Sequence, residues 1–175
     1  MSRIALGLLI PLAILAAGEA PSKAAAEFAQ RWTKTRPLAL GVAQAMPENE
    51  YAFRPDPPSM TFGELMAHIA SANYGFCDGL KDSRASGMLR VLGRLAPGTS
   101  SKESVVKYLA DSFDYCTATI NVLTDSQLNA AHSSPDGKMP GREILLALYV
   151  HMAHHRGQAE IYLRIKGIAP PGYVF

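Results

Sequence analysis

Tyr149-Val-His-Met-Ala-His-His-Arg-Gly-Gln158 contains three of the five histidines of the chain. Apolar residues continue the spacing of His151 and His155 in both directions, which predicts one long helix from residue 140 or 141 to residue 166. Residues four apart lie on the same face of a helix, one turn from each other. Two neutral imidazoles placed in this way can bind one divalent metal ion.

The same periodicity, together with capping patterns, predicts three further long helices upstream. Two of them begin at capping boxes, Thr61-Phe-Gly-Glu64 and Ser100-Ser-Lys-Glu103. Pro37 lies inside the first helix and should kink or break it near Arg36. No stretch shows convincing period-2 alternation, so the predicted fold class is all-α, a four-helix bundle. The helices are expected at about residues 22–46, 61–79, 100–123 and 140–166.

Two segments between helices carry their own expectations. Residues 81–100 are interpreted as a long crossover between helices 2 and 3, which can let these two helices run parallel. Residues 132–138 are rich in turn formers, and His132 is expected at the surface. Gly157 costs about 1 kcal/mol relative to Ala inside a helix, which indicates close packing at that position.

Length and composition restrict the class of protein. A chain of 175 residues suits one domain, and 48 % hydrophobic with 18 % charged residues is typical of a globular protein. The formal net charge is +2 and no basic run stands out, so a nucleic-acid partner is not expected.

Residues 1–20 are predicted to be a secretory signal peptide, followed by a helical bundle domain over residues 21–175. Arg3 supplies the positive start, and the apolar stretch of residues 4–17 is shorter than the about 20 residues that span a membrane. Small residues permit cleavage after residue 18, 20 or 26. The alternative is an uncleaved apolar N-terminal helix. The signal predicts a periplasmic or secreted protein with no stable membrane anchor after cleavage.

Cys77 and Cys116 are the two cysteines of the chain. In a reducing cytosol they would be buried thiols. In an exported protein they are candidates for a disulfide, which would contribute up to about 4 kcal/mol in the chain-entropy model.

A third metal ligand is predicted on another helix. His68 lies on the second turn of helix 2, on a partly buried face. Three neutral imidazoles leave coordination positions open, as in catalytic rather than structural sites. We therefore expect a divalent ion bound by His68, His151 and His155, with zinc as the default and nickel or iron also suited to imidazole. Met152 stands where His-Glu-x-x-His proteases have their glutamate, so a proteolytic mechanism is not expected.

Other residues have weaker roles in this prediction. His154 lies about 100° around the helix from His155 and is interpreted as a residue that packs beside the metal ligands or supports them by a hydrogen bond. Gln158 could orient a ligand or substrate, or be a hydrogen-bonded core amide. Glu64 could accept a hydrogen bond from His68, although the capping box is the favoured role. Arg156 could form an ion pair with an acidic group on a neighbouring helix. Tyr74 and Tyr162 could line the pocket or belong to the core.

The chain resembles the DinB-like family of four-helix-bundle metalloenzymes in four motifs. They are Thr61-Phe-Gly-Glu-Leu-Met-Ala-His68, His151-Met-Ala-His-His-Arg-Gly-Gln158, Tyr162-Leu-Arg and Gly167-Ile-Ala-Pro-Pro171. The resemblance implies a bundle with a long crossover between helices 2 and 3, and a metal triad at His68, His151 and His155. Related proteins include thiol S-transferases that use bacillithiol or mycothiol.

Together these observations predict an exported, metal-dependent transferase or hydrolase whose ion activates water or a thiol. Its substrate is expected to be a small molecule, and the sequence is compatible with a homodimer. The alternatives are a non-catalytic metal- or ligand-binding helical bundle of the periplasm, and a structural bundle whose histidines bind nothing.

Overall fold

The computed structural model describes residues 19–81 and 101–173 of the chain. Most of the predicted leader and residues 82–100 of the predicted crossover lie outside the described residues. Five α-helices, a short 3-10 helix and a two-stranded hairpin form the described part. They are α1 Lys23–Ala45, the 3-10 helix Glu48–Glu50, α2 Phe62–Leu80, α3 Lys102–Ile120, α4 Asp125–Asn129, β1 Ala131–Ser134, β2 Gly137–Pro140 and α5 Gly141–Ile165.

Polar side chains cap the starts of the helices, largely as predicted. Ser22 caps α1. Thr61 and Glu64 form a reciprocal box at the start of α2: the Thr61 hydroxyl accepts from the Glu64 N–H at 3.2 Å, and Glu64 accepts from the Thr61 N–H at 2.7 Å. Ser101 caps α3 by accepting from the N–H three residues later at 3.2 Å, so this helix begins one residue later than predicted.

Pro37 does not break the first helix, which was one of the two effects predicted for it. The helix continues to Ala45, with Pro37 on its exposed side. Water can therefore satisfy the carbonyl that lacks an intrahelical partner. The buried residues Trp32 and Ala39 hold the helix to the core on both sides of the proline.

Helices α2 and α3 run parallel. Ser71 bonds Tyr108 at 2.9 Å between their hydroxyl groups, and a disulfide joins Cys77 to Cys116 further along both helices. Because both contacts advance in the same direction, the parallel arrangement expected from the crossover is confirmed. The two cysteines therefore form the bridge that the sequence left open.

The four long helices close into a bundle in which α1 and α2 each pack against both α3 and α5. Trp32 of α1 stacks on Phe113 of α3 at a centroid distance of 4.8 Å, and both rings are fully buried. Phe62, at the start of α2, meets Tyr162 near the end of α5, so these two helices are antiparallel. Within the described ranges, no helix has the length and apolar character needed to cross a membrane.

A short β-hairpin, which the sequence did not predict, precedes α5. Strands β1 and β2 pair antiparallel, and Gly137 in the turn adopts φ 108°. His132 on β1 is buried, with 2 % of its surface exposed, and its Nε2 lies 2.6 Å from the Gln127 carbonyl. The surface prediction for His132 was wrong, because the ring is buried with a backbone hydrogen-bond partner on α4.

Close packing of glycine occurs on α2 rather than at Gly157. A Cβ atom on Gly79 would lie 2.0 Å from the Ser133 carbonyl oxygen of β1, whereas a Cβ on Gly157 would have nothing within 4 Å. The prediction of close packing around Gly157 within the chain was therefore wrong. At Gly79 the missing side chain lets the hairpin lie directly on the helix.

Candidate metal centre

Three histidines from two antiparallel helices meet at one point in the bundle. His68 comes from the second turn of α2, and His151 and His155 come from successive turns of α5. Each offers one ring nitrogen, and these three atoms all lie within 4.8 Å of one another. The Nε2 atoms of His68 and His151 are 3.1 Å apart. The structure thus brings together the three residues singled out in the sequence.

The triad lies in a half-buried position beside the core. All three rings are neither fully buried nor fully exposed. The ring of Phe76, one of the buried residues of α2, meets His151 edge-on at a centroid distance of 5.9 Å. The triad is therefore partly exposed to solvent, and an aromatic ring lies against one side of it.

All three imidazoles are held in the neutral form. Burial lowers the pKa of His151 to about 4, and the neighbouring His155 and His68 add to this shift. Burial also lowers the pKa of His68 and of His155. At neutral pH the ring nitrogens therefore have lone pairs available for a metal ion without first releasing a proton.

Gln158 fixes the orientation of His155. Its side-chain oxygen lies 2.7 Å from Nδ1 of His155, so this nitrogen donates the hydrogen bond and the Nε2 lone pair is left for the site. The amide nitrogen of Gln158 lies 3.1 Å from Nε2 of His154. Gln158 therefore orients a triad residue, which is one of the two roles considered from the sequence.

Comparison with known proteins agrees with this architecture. Residues 31–159 match the sequence profile of the DinB superfamily. The chain belongs to the DinB superfamily. It is 26 % identical over 130 residues to the uncharacterized protein YjoA of Bacillus subtilis (strain 168), covering 72 % of this chain and 80 % of YjoA.

Two solved structures share the DinB fold. A DinB-like protein from Bacillus cereus ATCC 10987 superposes with a TM-score of 0.70 at 21 % identity, covering 84 % of this chain and 95 % of that chain. The crystal structure of YjoA from Bacillus subtilis superposes with a TM-score of 0.68 at 21 % identity, covering 84 % and 96 %. These likenesses establish the helical architecture of this DinB member.

The structure also places the residues to which the sequence gave weaker roles, beginning with His154, Glu64 and Arg156. His154 is exposed and touches the triad only through Gln158 and a ring contact with His155. Glu64 serves the capping box, as favoured. Arg156 pairs with Glu160 on its own helix at 3.0 Å, so the prediction of an ion pair to a neighbouring helix was wrong.

Neither tyrosine considered for the pocket acts as a wall of the triad. Tyr74 stacks on Tyr108 in the interface between α2 and α3, and burial raises the pKa of Tyr74 to about 12. The hydroxyl of Tyr162 donates to the Met60 carbonyl at 2.9 Å. Both side chains belong to the core, which was the alternative to a position in the pocket.

Sequence reasoning missed the contribution of the hairpin to the site. Asp136, in the turn between β1 and β2, is the charged group that raises the pKa of His151 against the effect of burial. The neighbouring Pro135 would lie 3.2 Å from a Cβ on Gly75 of α2, so the turn is seated on the same helix that carries His68. The turn signal Pro135-Asp-Gly137 was visible, but its packing partner was not.

The residues present fit a divalent transition-metal ion. In a tetrahedral site with zinc–nitrogen bonds of about 2.05 Å, neighbouring ligand atoms are about 3.3 Å apart, close to the 3.1 Å between His68 and His151. Within the described residues, the cluster contains three imidazoles and no carboxylate. Such a donor set suits zinc, nickel, copper or iron and disfavours magnesium and calcium.

The metal-free protein is expected to lose stability as the pH falls from about 6.5 towards about 4. The folded-state pKa of His151 is about 4 against an ordinary value of 6.5, so in this window the unfolded chain binds more protons than the folded one. The contribution of His151 to the free energy of unfolding is therefore fully present above the ordinary pKa and decreases as the pH falls. Urea unfolding of chelator-treated protein between about pH 7.5 and about pH 5 measures the effect.

The control for this pH dependence is His151→Gln, which should reduce the slope; the slope that remains comes from His68 and His155, because burial also lowers their pKa. Glu64 does not interfere, because its pKa is lowered by the Thr61 N–H and its contribution is lost only below the ordinary value of 4.5. Identical pH slopes for the wild type and His151→Gln would contradict the prediction.

Proposed function

We propose that this DinB protein is an exported metal-dependent enzyme, a transferase or hydrolase acting on a small molecule. The observation that carries the proposal is the convergence of His68, His151 and His155, whose ligand atoms lie within 4.8 Å of one another. An ion held by three neutral imidazoles keeps coordination positions open for a reactant. Zinc is the expected ion, with nickel or iron as alternatives.

In this proposal, the residues around the triad have different roles. The three histidines bind the ion, and Gln158 keeps Nε2 of His155 directed at it. When bound, such an ion lowers the pKa of a coordinated water or thiol and so supplies a nucleophile near neutral pH. Phe76 forms an apolar wall beside His151. Met152 is buried at the position of the protease glutamate and offers no base.

Export is supported by the disulfide. Cys77 and Cys116 are joined in the structure, and disulfides persist mainly in oxidising compartments such as the periplasm. Cell fractionation of the full chain tests this part of the proposal separately. Recovery of a full-length chain from the cytosol, with both thiols reduced, would overturn it.

Metal analysis of tag-free protein tests the site. We expect one divalent ion per chain in the wild type and a loss of affinity of more than about 100-fold in His151→Ala, because removing a residue that binds the ion costs more than the about 10–100-fold typical of removing a residue that only orients a ligand. Gln158→Leu should lose about 10–100-fold in affinity, because Gln158 orients His155 without binding the ion. His154→Ala is the matched control on the same helix and should retain the ion.

Activity separates an enzyme from a binding protein. Panels of thiol-transfer, ester and amide substrates should reveal turnover that a chelator abolishes and the ion restores. A protein that binds the ion at the triad but turns over none of these substrates would favour the non-catalytic binding bundle. Absence of metal from the wild type after exposure to zinc, nickel and iron would refute both.

A further inference from the structure

Large hydrophobic side chains are exposed along one face of α5. Leu146, Val150, Ile161 and Ile165 expose 61 %, 55 %, 53 % and 53 % of their surface. The other exposed large hydrophobic residues of the described ranges lie outside the helices and strands: Met60, Val122 and Tyr173. Single exposed hydrophobic residues need no explanation, but four on one helix, in two pairs with exposed His154 between them, do.

The four residues share the outer side of the helix. With 3.6 residues per turn they fall within a sector of about 100°, and the buried residues Leu148, Met152 and Leu163 point the opposite way into the bundle. Leu146 and Val150 are four apart, and so are Ile161 and Ile165. Rows with this spacing are the ridges that interdigitate when two helices pack.

The spacing of this outer face is symmetric along the helix. Leu146 lies as far before the midpoint between His155 and Arg156 as Ile165 lies after it, and the same holds for Val150 and Ile161. A second copy of α5, antiparallel and related by a two-fold axis at this midpoint, would therefore place Val150 against Ile161 of that copy. Self-complementarity of this kind is what a two-fold interface requires.

The centre of the face has a matching shape. The same symmetry places exposed His154 opposite Gly157 of the second copy, and nothing lies within 4 Å of a Cβ built on Gly157. A glycine inside a helix costs about 1 kcal/mol relative to Ala. An imidazole seated on Gly157 gives this otherwise unfavourable residue a packing role.

The charges at the ends of the face are also compatible with an antiparallel pair. Arg164 and Glu143 are both exposed, and Arg164 is held by Glu160 of its own helix at 3.8 Å. In the two-fold arrangement, Arg164 lies one helical turn from the position opposite Glu143 of the second copy. Opposite charges would therefore meet twice, once at each end of the apolar stripe.

From these observations we infer that the chain forms a two-fold symmetric homodimer through the outer face of α5. The occupant of the stripe is a second copy of the same helix. The dimer would also hold His154, which bonds Gln158, which in turn orients His155. The interface therefore lies directly behind one member of the metal triad.

Charge substitutions test the dimer by sedimentation velocity at about micromolar concentration. The wild type is expected to be dimeric, and Val150→Glu and Ile161→Lys should each be monomeric, because each buries an unpaired charge. Mixing the two variants should restore a heterodimer, since the introduced Glu and Lys face each other. Val122→Glu, at a residue 64 % exposed outside α5, is the matched control and should stay dimeric.

Cross-linking tests the register independently. A mixture of Val150→Cys and Ile161→Cys should cross-link through a short bismaleimide, whereas Val150→Cys alone should not, because its two copies would be about 16 Å apart along the helix axis. Circular dichroism melting confirms that each variant is folded. A monomeric wild type, a dimer that survives Val150→Glu, or equal cross-linking of Val150→Cys alone would overturn the proposal.

Discussion

Loss of the disulfide between Cys77 and Cys116 is expected to lower the free energy of unfolding by about 4 kcal/mol. The bridged residues are 39 apart in the chain, and closing a loop of this size removes that much conformational freedom from the unfolded state in the chain-entropy model. Small proteins are stable by only about 5–15 kcal/mol in total. The bridge therefore contributes a large share of the stability of this bundle.

Reduction of the wild type and substitution of both cysteines separate two effects. Both sulfurs are fully buried, so the reduced protein keeps their volume and loses only the covalent link. Cys77→Ala/Cys116→Ala also leaves cavities and should be less stable still. Guanidinium unfolding of the oxidised, reduced and substituted forms gives the three values. A reduced protein within about 1 kcal/mol of the oxidised one would contradict the prediction.

Gly79→Ala is expected to destabilise the fold by about 3 kcal/mol, at the upper end for overpacking. The new Cβ would lie 2.0 Å from the Ser133 carbonyl oxygen, a contact with backbone that no side-chain rotation can relieve. The hairpin must move off α2 to admit the methyl group. Since the hairpin carries Asp136, which acts on the pKa of His151, this pKa should fall further.

Urea unfolding measures the first effect of Gly79→Ala, and histidine NMR titration of the metal-free protein measures the second. Gly172→Ala is the matched control, because nothing lies within 4 Å of a Cβ at that position, and its stability should equal that of the wild type. Unchanged stability in Gly79→Ala would mean that the hairpin does not rest on α2 as described.

Local signals in the sequence were sufficient for the helices and for the two histidines on α5. The capping box at Thr61 and the spacing of His151 and His155 depend on residues within one or two turns, where helical geometry alone fixes which side chains are neighbours. His68 could be added because its partly buried face follows from the same periodicity. The length of the crossover permitted the parallel direction of α2 and α3.

Contacts between distant segments were not accessible in this way. Each strand of the hairpin is only four residues long. This is too short for an alternation of apolar and polar residues to be recognised beside the turn residues. Its seat on Gly79 and the burial of His132 depend on tertiary packing. The sequence shows that Pro37 and Gly157 are unfavourable inside a helix. Whether the helix tolerates each residue depends on the solvent or the packing around it, which the sequence does not show.

The two cross-links of the bundle meet in α2 and respond to different chemical conditions. Cys77 ties this helix to α3 by a bond that a reductant can break. With an ion bound as proposed, His68 ties it to α5 by bonds that acid can break, because protons compete for imidazole. A reductant would thus weaken the link between α2 and α3, and acid would weaken the link between α2 and α5. The two links therefore respond to different properties of the surroundings.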